Sequence, residues 1–304
     1  MLHEDKNDFR NLIIATATRS GMQMAVVEKD YYVTLILGEI AKRNPSILFK
    51  GGTSLSKCYK IIDRFSEDID LNLIGDSRPT EGQRRALKHD ITDAIEAVGL
   101  TLTNRNQIRS KRDFNRYRID YNPEFPSSAL KTQVIIETAV FLRAYPYNRM
   151  RVNSYIQDFL ESDGKDDLVD ELALPSFEVN VQSLERTLID KCFALADYYI
   201  TKRVEGHSRH IYDIYKIVNH IRLDSSLKKL AESVRIERRE DSECPSASDD
   251  IDLNQILQKI IEQQVYKQDY NDITEAILFQ DKDLKYSDAI KGLQAVIDSG
   301  VFFR

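Results

Sequence analysis

"FKGGTSLSKCYKIIDRFSEDIDL", residues 49 to 71, sets two glycines ahead of a short helical pattern and, further on, two aspartates separated by one residue. The preceding "SILF" reads as a short buried strand, so the order is strand, Gly-Gly turn, helix, strand. Gly51 and Gly52 lack a Cβ, so an anion can approach the backbone, and the unpaired N–H groups of the first turn, from about Thr53 to Ser56, can point at it. Asp68 and Asp70 are two apart and share one face of a strand, while Ile69, Leu71 and Leu73 take the other. Two hard carboxylates on one face suit a divalent cation such as Mg²⁺ or Mn²⁺, completed by water and phosphate oxygens. Taken separately, Gly-Gly is commonly only a turn and an acidic alternation only a wet strand face. Taken in this order they describe a metal-and-triphosphate site. Sugar-nucleotide transferases and aspartyl phosphatases also carry DxD, but neither needs the preceding Gly-Gly helix.

The 304-residue chain is longer than an average domain and suits two packed lobes. Its hydrophobic content of 42% and aromatic content of 9% support a core and argue against global disorder. The formal charge of −6 excludes a generally basic coat, so any polyanion must meet a local patch. Cys58, Cys192 and Cys244 form neither a paired framework nor a CxxC spacing and read as reduced structural thiols. The opening MLHEDKNDFR is polar where a signal peptide needs an apolar run, and no stretch approaches the roughly 18 apolar residues of a membrane span. The expected location is the cytoplasm, with no membrane partner. The five histidines show no HxxxH spacing, and no Ser-His-Asp or Cys-His order stands out.

Apolar periodicity predicts a mixed first part and a helical second part, divided near residue 175, hence domains 1–175 and 176–304. A helix is expected over 24–42, ended by Asn44-Pro45, and another over 80–98. TLTNRN, FNRYRIDYN and KTQVIIETAVF read as extended segments. From Ser183 on, LERTLIDKCFALADYYI, HIYDIYKIVNHI, LNQILQKIIEQQ and YSDAIKGLQAVIDS read as helices. The acidic run ESDGKDDLVDE, 161–171, reads as a break, and REDSECPSASDDID, 239–252, as a solvated loop.

GGTSLSK followed by RFSEDIDL resembles the nucleotidyltransferase-like toxins of the AbiEii/AbiGii family, from bacterial abortive-infection and toxin–antitoxin systems. VEKDYYVTLIL, from Val27, is similar to the family's N-terminal helix, FEVNVQSLERTLIDKCFAL, from Phe177, to its lysine-bearing helix, and RHIYDIYKI, from Arg209, to a later R-D-x-x-D-like segment. The similarity runs from about residue 26 to 220, with weaker traces in VYKQDYNDI and LKYSDAIKGL. His210 stands where many relatives carry aspartate, and Gly52-Thr53 where the wider superfamily has Gly-Ser. The resemblance implies a nucleotidyltransferase-like α/β fold, a mixed sheet with flanking helices, plus a helical C-terminal lobe. It also implies transfer of nucleotides from an NTP to RNA, with tRNA acceptor ends as targets, and a cognate antitoxin.

By the same resemblance, Lys191 and Asp213 match the family's later catalytic positions. On a helical wheel Lys191 falls at the edge of the stripe Leu184, Leu188, Cys192, Leu195 and Tyr199, so it reads as partly buried, either snorkelling to water or neutralising triphosphate. Asp213 reads either as functional or as a surface i, i+4 partner of Arg209. Asp68 and Asp70 are assigned to metal, and Gly51, Gly52, Thr53 and Ser66 to the triphosphate. Lys57 faces either phosphate or solvent. The superfamily commonly uses a third carboxylate on the acceptor hydroxyl, for which Glu137 is the candidate, its alternative being a wet-face strand glutamate. Glu28, Lys29 and Asp30 read as an ionic cluster between lobes. Arg105, Arg109, Lys111, Arg112, Arg116 and Arg118, interleaved with Phe114 and Tyr117, read either as an RNA patch combining phosphate attraction with base stacking or as a basic solvated hairpin, which Lys202 and Arg203 could extend. Transfer to a protein hydroxyl and noncatalytic binding of RNA or a partner remain as alternative functions.

Overall fold

A computed structural model describes residues 1–75, 77–128, 130–241, 243–279 and 281–302. The chain divides into two compact units, Met1–Tyr59 with Ser66–Val181, and Lys60–Phe65 with the chain from Gln182 onward. The division thus falls at 181/182 instead of 175/176, because Phe177–Gln182 is a strand whose Asn180 and Val181 pair in parallel with Leu48 and Phe49. A six-residue excursion just ahead of the DxD pair also belongs to the helical unit.

The first unit runs through helices α1 (Lys6–Ser20) and α2 (Met24–Arg43), strand β1 (Ile47–Lys50), helix α3 (Gly51–Lys57), strand β2 (Ile69–Leu73) and helix α4 (Glu81–Ala97). It continues through β3 (Thr101–Leu102), β4 (Phe114–Asp120), β5 (Gln133–Ala139), β6 (Tyr147–Val152), α5 (Tyr155–Ser162), α6 (Asp166–Glu171) and β7 (Phe177–Gln182). Thr80 starts α4 with a capping box, its hydroxyl accepting from Gln83 N while the Gln83 side chain reaches back. The seven strands form one mixed sheet in the order β3-β4-β5-β2-β1-β7-β6, which makes β2 the middle strand. It runs antiparallel to β1 and parallel to β5, and β5 is antiparallel to β4.

Alternation sorts the two faces of the sheet. Asn115, Tyr117 and Ile119 of β4 and Val134, Ile136 and Thr138 of β5 are buried, with Tyr117, Ile119, Val134 and Ile136 in the same core as Tyr31 and Ile36 of α2 and Ile91 and Ile95 of α4. Phe114, Arg116 and Arg118 occupy the opposite, exposed face. Tyr117 is therefore a core residue and cannot stack on a base, because its place in the strand's alternation turns it inward. The acidic run 161–171 is also more ordered than its composition suggests. It holds the end of α5 and all of α6, with Val169 buried.

The ionic triplet of α2 lies wholly inside this unit, not between lobes. Three consecutive charged side chains are buried, and each ties down a different segment. The Glu28 carboxylate accepts from the backbone N–H groups of Glu124 and Phe125 at 2.7 and 2.9 Å. Lys29 donates to the carbonyl of Lys131 at 2.8 Å and forms an ion pair with Glu67, the neighbour of Asp68. Asp30 accepts from Tyr155 N at the start of α5, 2.8 Å away, and pairs with Lys57 of α3. Burial pushes the Asp30 carboxyl up, and Lys57 opposes that shift.

The second unit contains α7 (Leu184–Ile200), α8 (Arg209–Val218), α9 (Ser225–Arg238), α10 (Leu253–Glu262), the single turn α11 (Lys267–Asp269) and α12 (Tyr286–Asp298). The helix α7 coincides with the segment expected from periodicity. Gly292 lets α12 lie against α8 backbone to backbone, since a Cβ there would stand 2.5 Å from Tyr215 Cα. The 239–252 segment is not simply solvated. Cys244, Ser246 and Ala247 are buried, and the carboxylate of Asp197 on α7 accepts from both the amide and the hydroxyl of Ser246 at 2.9 and 2.6 Å. Among the described residues no helix is long and apolar enough to cross a membrane.

Replacing Lys57 with Met is expected to cost about 3–5 kcal/mol of unfolding free energy, because it strands the buried Asp30 carboxylate without its counter-ion. The double variant Lys57→Met, Asp30→Asn should lose less. Urea unfolding followed by circular dichroism measures both, and a single-variant cost under about 1 kcal/mol would mean the pair behaves as a surface ion pair.

Candidate active site

The two halves of the opening stretch meet at one point. Gly51 begins α3 with φ +77°, a left-handed conformation that favours glycine, and Asp70 on the adjacent strand lies directly against it. A Cβ on Gly51 would stand 1.9 Å from Asp70 Oδ2 and 2.9 Å from its Cγ, so any other residue there would push the carboxylate aside. Sheet register explains the meeting: Lys50, the residue before Gly51, is paired with Asp70 across β1 and β2. The side chains that follow also touch, since Thr53 Oγ1 and Ser66 Oγ are 2.9 Å apart. Gly51, Thr53, Ser66 and Asp70 are thereby drawn together. Gly52 follows Gly51 in the first turn of the seven-residue α3. Asp68 immediately precedes β2 and is half-buried, as is Asp70.

Glu137 is Asp70's neighbour on the other side, paired with it in parallel register between β2 and β5. Its Oε1 accepts from Arg116 Nε at 2.7 Å, and Arg116 is in turn its register partner on β4. Among the described residues no three His, Cys, Asp or Glu side chains stand close enough together to hold a metal ion. A cation held by Asp68 and Asp70 would therefore need water and phosphate oxygens to complete its shell, which is how Mg²⁺ is usually bound. The donor set fits that ion. The hard oxygens are present, and the absent Cβ at Gly51 leaves Asp70 room.

Lys57 does not face phosphate or solvent. Its side chain is buried, its ammonium is engaged by Asp30, and it lies 5.2 Å from the Tyr155 ring centroid. The basic segment separates into two groups. Arg116 and Arg118 lie on the exposed sheet face with Phe114, whereas Arg105, Arg109, Lys111 and Arg112 are exposed in the connection between β3 and β4. That connection is well tied, with Asn115 Oδ1 accepting from Arg109 N and Asn104 Nδ2 donating to Arg116 O. Arg105 also pairs with Glu96.

On the helical unit, Lys191 and Asp213 meet. Lys191 Nζ donates to Asp213 Oδ2 at 2.6 Å, and both side chains are buried, so neither the snorkelling lysine nor the surface pair with Arg209 describes them. The sequence reading missed the third member, Arg64, four residues before Asp68. Its guanidinium clamps Asp213 with Nε and Nη2, each at 2.7 Å. Burial alone would raise the Asp213 carboxyl, but Arg64 and Lys191 outweigh it and hold the group well below the usual carboxylate range. Burial lowers Lys191 from its ordinary value, Asp213 opposes that, and Arg64 adds to it. An arginine in the run leading into DxD was the one available signal. His210, at the departure from the family pattern, lies with its ring parallel to those of His207 and Tyr198. Lys202 and Arg203 are exposed beyond the end of α7.

A family model described as the nucleotidyl transferase AbiEii toxin of type IV toxin–antitoxin systems matches residues 36–297. The chain belongs to this family. It is accordingly a nucleotidyltransferase toxin of a toxin–antitoxin system, a membership that implies an NTP substrate and a cognate antitoxin. Among solved structures it is similar to MenT4, a nucleotidyltransferase toxin from Mycobacterium tuberculosis, at 18% identity and a TM-score of 0.46, covering 84% of this chain and 72% of that one. No curated protein sequence matches it.

Gly51→Ala should misplace the Asp70 carboxylate, since the added methyl occupies the position of Oδ2 and the positive φ adds about 1 kcal/mol of strain. Nucleotide transfer is expected to fall at least about 100-fold, the scale on which a misplacement of 1 Å acts. A thermal melt within a few degrees of the parent would show the loss to be local. Retained transfer would mean that the close approach is incidental.

Proposed function

We propose that the protein transfers a nucleotide from an NTP to the 3′ hydroxyl of an RNA, the tRNA acceptor end, and so blocks translation in the cytoplasm. The observation that carries this reading is the contact of Asp70 with Gly51, which joins the glycine turn to the DxD strand. In the reaction the RNA hydroxyl oxygen forms a bond to the α-phosphorus, the bond from that phosphorus to the β-phosphate oxygen breaks, and pyrophosphate leaves. Asp68 and Asp70 would hold Mg²⁺ or Mn²⁺, whose chemistry there would be to stabilise charge developing on the phosphoryl oxygens. Gly51, Gly52, Thr53 and Ser66 orient the triphosphate, with the Thr53 and Ser66 hydroxyls already side by side. Glu137, next to Asp70 in the sheet, is the third carboxylate and helps take the hydroxyl proton. Lys191, held by Asp213 within the helical unit, keeps the catalytic role that the family resemblance gives these two residues.

The acceptor reading rests on the exposed sheet face beside the carboxylates. Phe114 is 45% exposed and offers a stacking surface, and Arg116 and Arg118 stand on the same face. Arg105, Arg109, Lys111 and Arg112 give further positive charge to an otherwise acidic chain.

Purified protein incubated with each α-labelled NTP in turn and total tRNA, followed by separation of protein from RNA, tests the proposal. Label is expected in the RNA for at least one NTP. Asp70→Asn should abolish it without unfolding the chain. Label in the protein would redirect the chemistry to a protein hydroxyl, and label in neither would remove the RNA reading.

A further inference from the structure

Across the middle of the sheet four charged residues stand in register: Lys50 on β1, Asp70 on β2, Glu137 on β5 and Arg116 on β4. Neighbouring strands lie about 4.8 Å apart, so the Glu137 side chain starts within reach of a cation bound at Asp70. The carboxylate is engaged elsewhere. Its Oε1 takes two bonds from Arg116, 2.7 Å from Nε and 2.5 Å from Nη2. Register thus brings the third carboxylate beside the second, yet among the described residues no three acidic, histidine or cysteine side chains gather into a metal-holding group.

We infer that Arg116 is a positioning residue that holds Glu137 out of the metal site, so that the third carboxylate joins Asp68 and Asp70 only when the guanidinium lets go. The inference rests on the metal reading of those two aspartates given above. While the pair holds, the guanidinium also cancels most of the Glu137 charge, so that carboxylate lends the site little attraction for a divalent cation. The lock can be broken. The two side chains are 51% and 23% exposed, and an ion pair this wet is held weakly compared with carboxylate bound to a divalent cation. Control of Glu137 is thereby added to the charge that Arg116 lends the exposed sheet face.

The test is an equilibrium titration of the full chain with Mn²⁺ alone, free ion being read by electron paramagnetic resonance, so that no turnover is needed. Arg116→Gln should bind Mn²⁺ about tenfold more tightly than the parent, a change of the size that partners of metal ligands produce. The double variant Arg116→Gln, Glu137→Gln should bind no more tightly than the parent, because the gain comes from the freed carboxylate. The inference is overturned if Arg116→Gln shows no gain, or if the gain survives in the double variant, which would make Arg116 a field effect only. Asp70→Asn is the control on the underlying reading. If it binds Mn²⁺ as the parent does, the metal assignment fails and the lock with it. If it loses Mn²⁺ while Arg116→Gln gains nothing, the lock alone fails. Circular dichroism melts confirm that each variant is folded.

Discussion

The contact between Asp70 and Gly51 is the constraint on which the candidate site depends. The Asp70 carboxylate occupies space that a Cβ on Gly51 would claim, and the positive φ at Gly51 adds a second reason for glycine. Antiparallel pairing of β1 with β2 makes the encounter unavoidable, because the residue that ends β1 is the register partner of Asp70. A one-residue slip would turn Asp70 into the core and Leu71 out of it. The apolar residues Ile69 and Leu71, both fully buried, therefore fix the site as firmly as the polar ones do.

Around that contact the first unit is held by charges placed where hydrophobic residues would be expected. Three successive residues of α2 reach the 124–125 connection, the neighbour of Asp68, and both α3 and α5. Buried ion pairs contribute little net stability compared with good apolar packing, but breaking one is costly, so they suit a role of fixing segments in one arrangement. Lys29 is the informative member. It holds Glu67 and the carbonyl of Lys131 at once, and so constrains the approach to β2 and that to β5. The helical unit uses the same device in the Arg64, Asp213 and Lys191 group, where one carboxylate is shared by two cations.

Much of this was readable in the sequence, and the failures have physical causes. Helices α2 and α7 were legible because their apolar periodicity is long and their ends are marked by Asn44-Pro45 and Ser183. Strand β4 announced itself by alternation, β5 by its β-branched residues, and β2 by DIDL. Helix α1 went unread, its buried stripe of Phe9, Ile13 and Ala17 being narrow, and β6 too, whose Tyr147, Asn148, Arg149 and Arg151 are exposed. At the site, Asp68, Asp70 and the glycines could be grouped by order along the chain. That Glu137 pairs with Asp70, and Arg116 with Glu137, depends on strand register, which no local pattern contains. Nor could periodicity show that Lys57 turns inward to Asp30, since its partner lies on another helix.

The most direct measurement is anomalous scattering from crystals grown with Mn²⁺ and a non-hydrolysable nucleotide. A manganese peak is expected bonded to carboxylate oxygens of Asp68 and Asp70, with the nucleotide's phosphates beside Gly51, Thr53 and Ser66. Ordered nucleotide elsewhere, or manganese bound away from both aspartates while the nucleotide is in place, would contradict it.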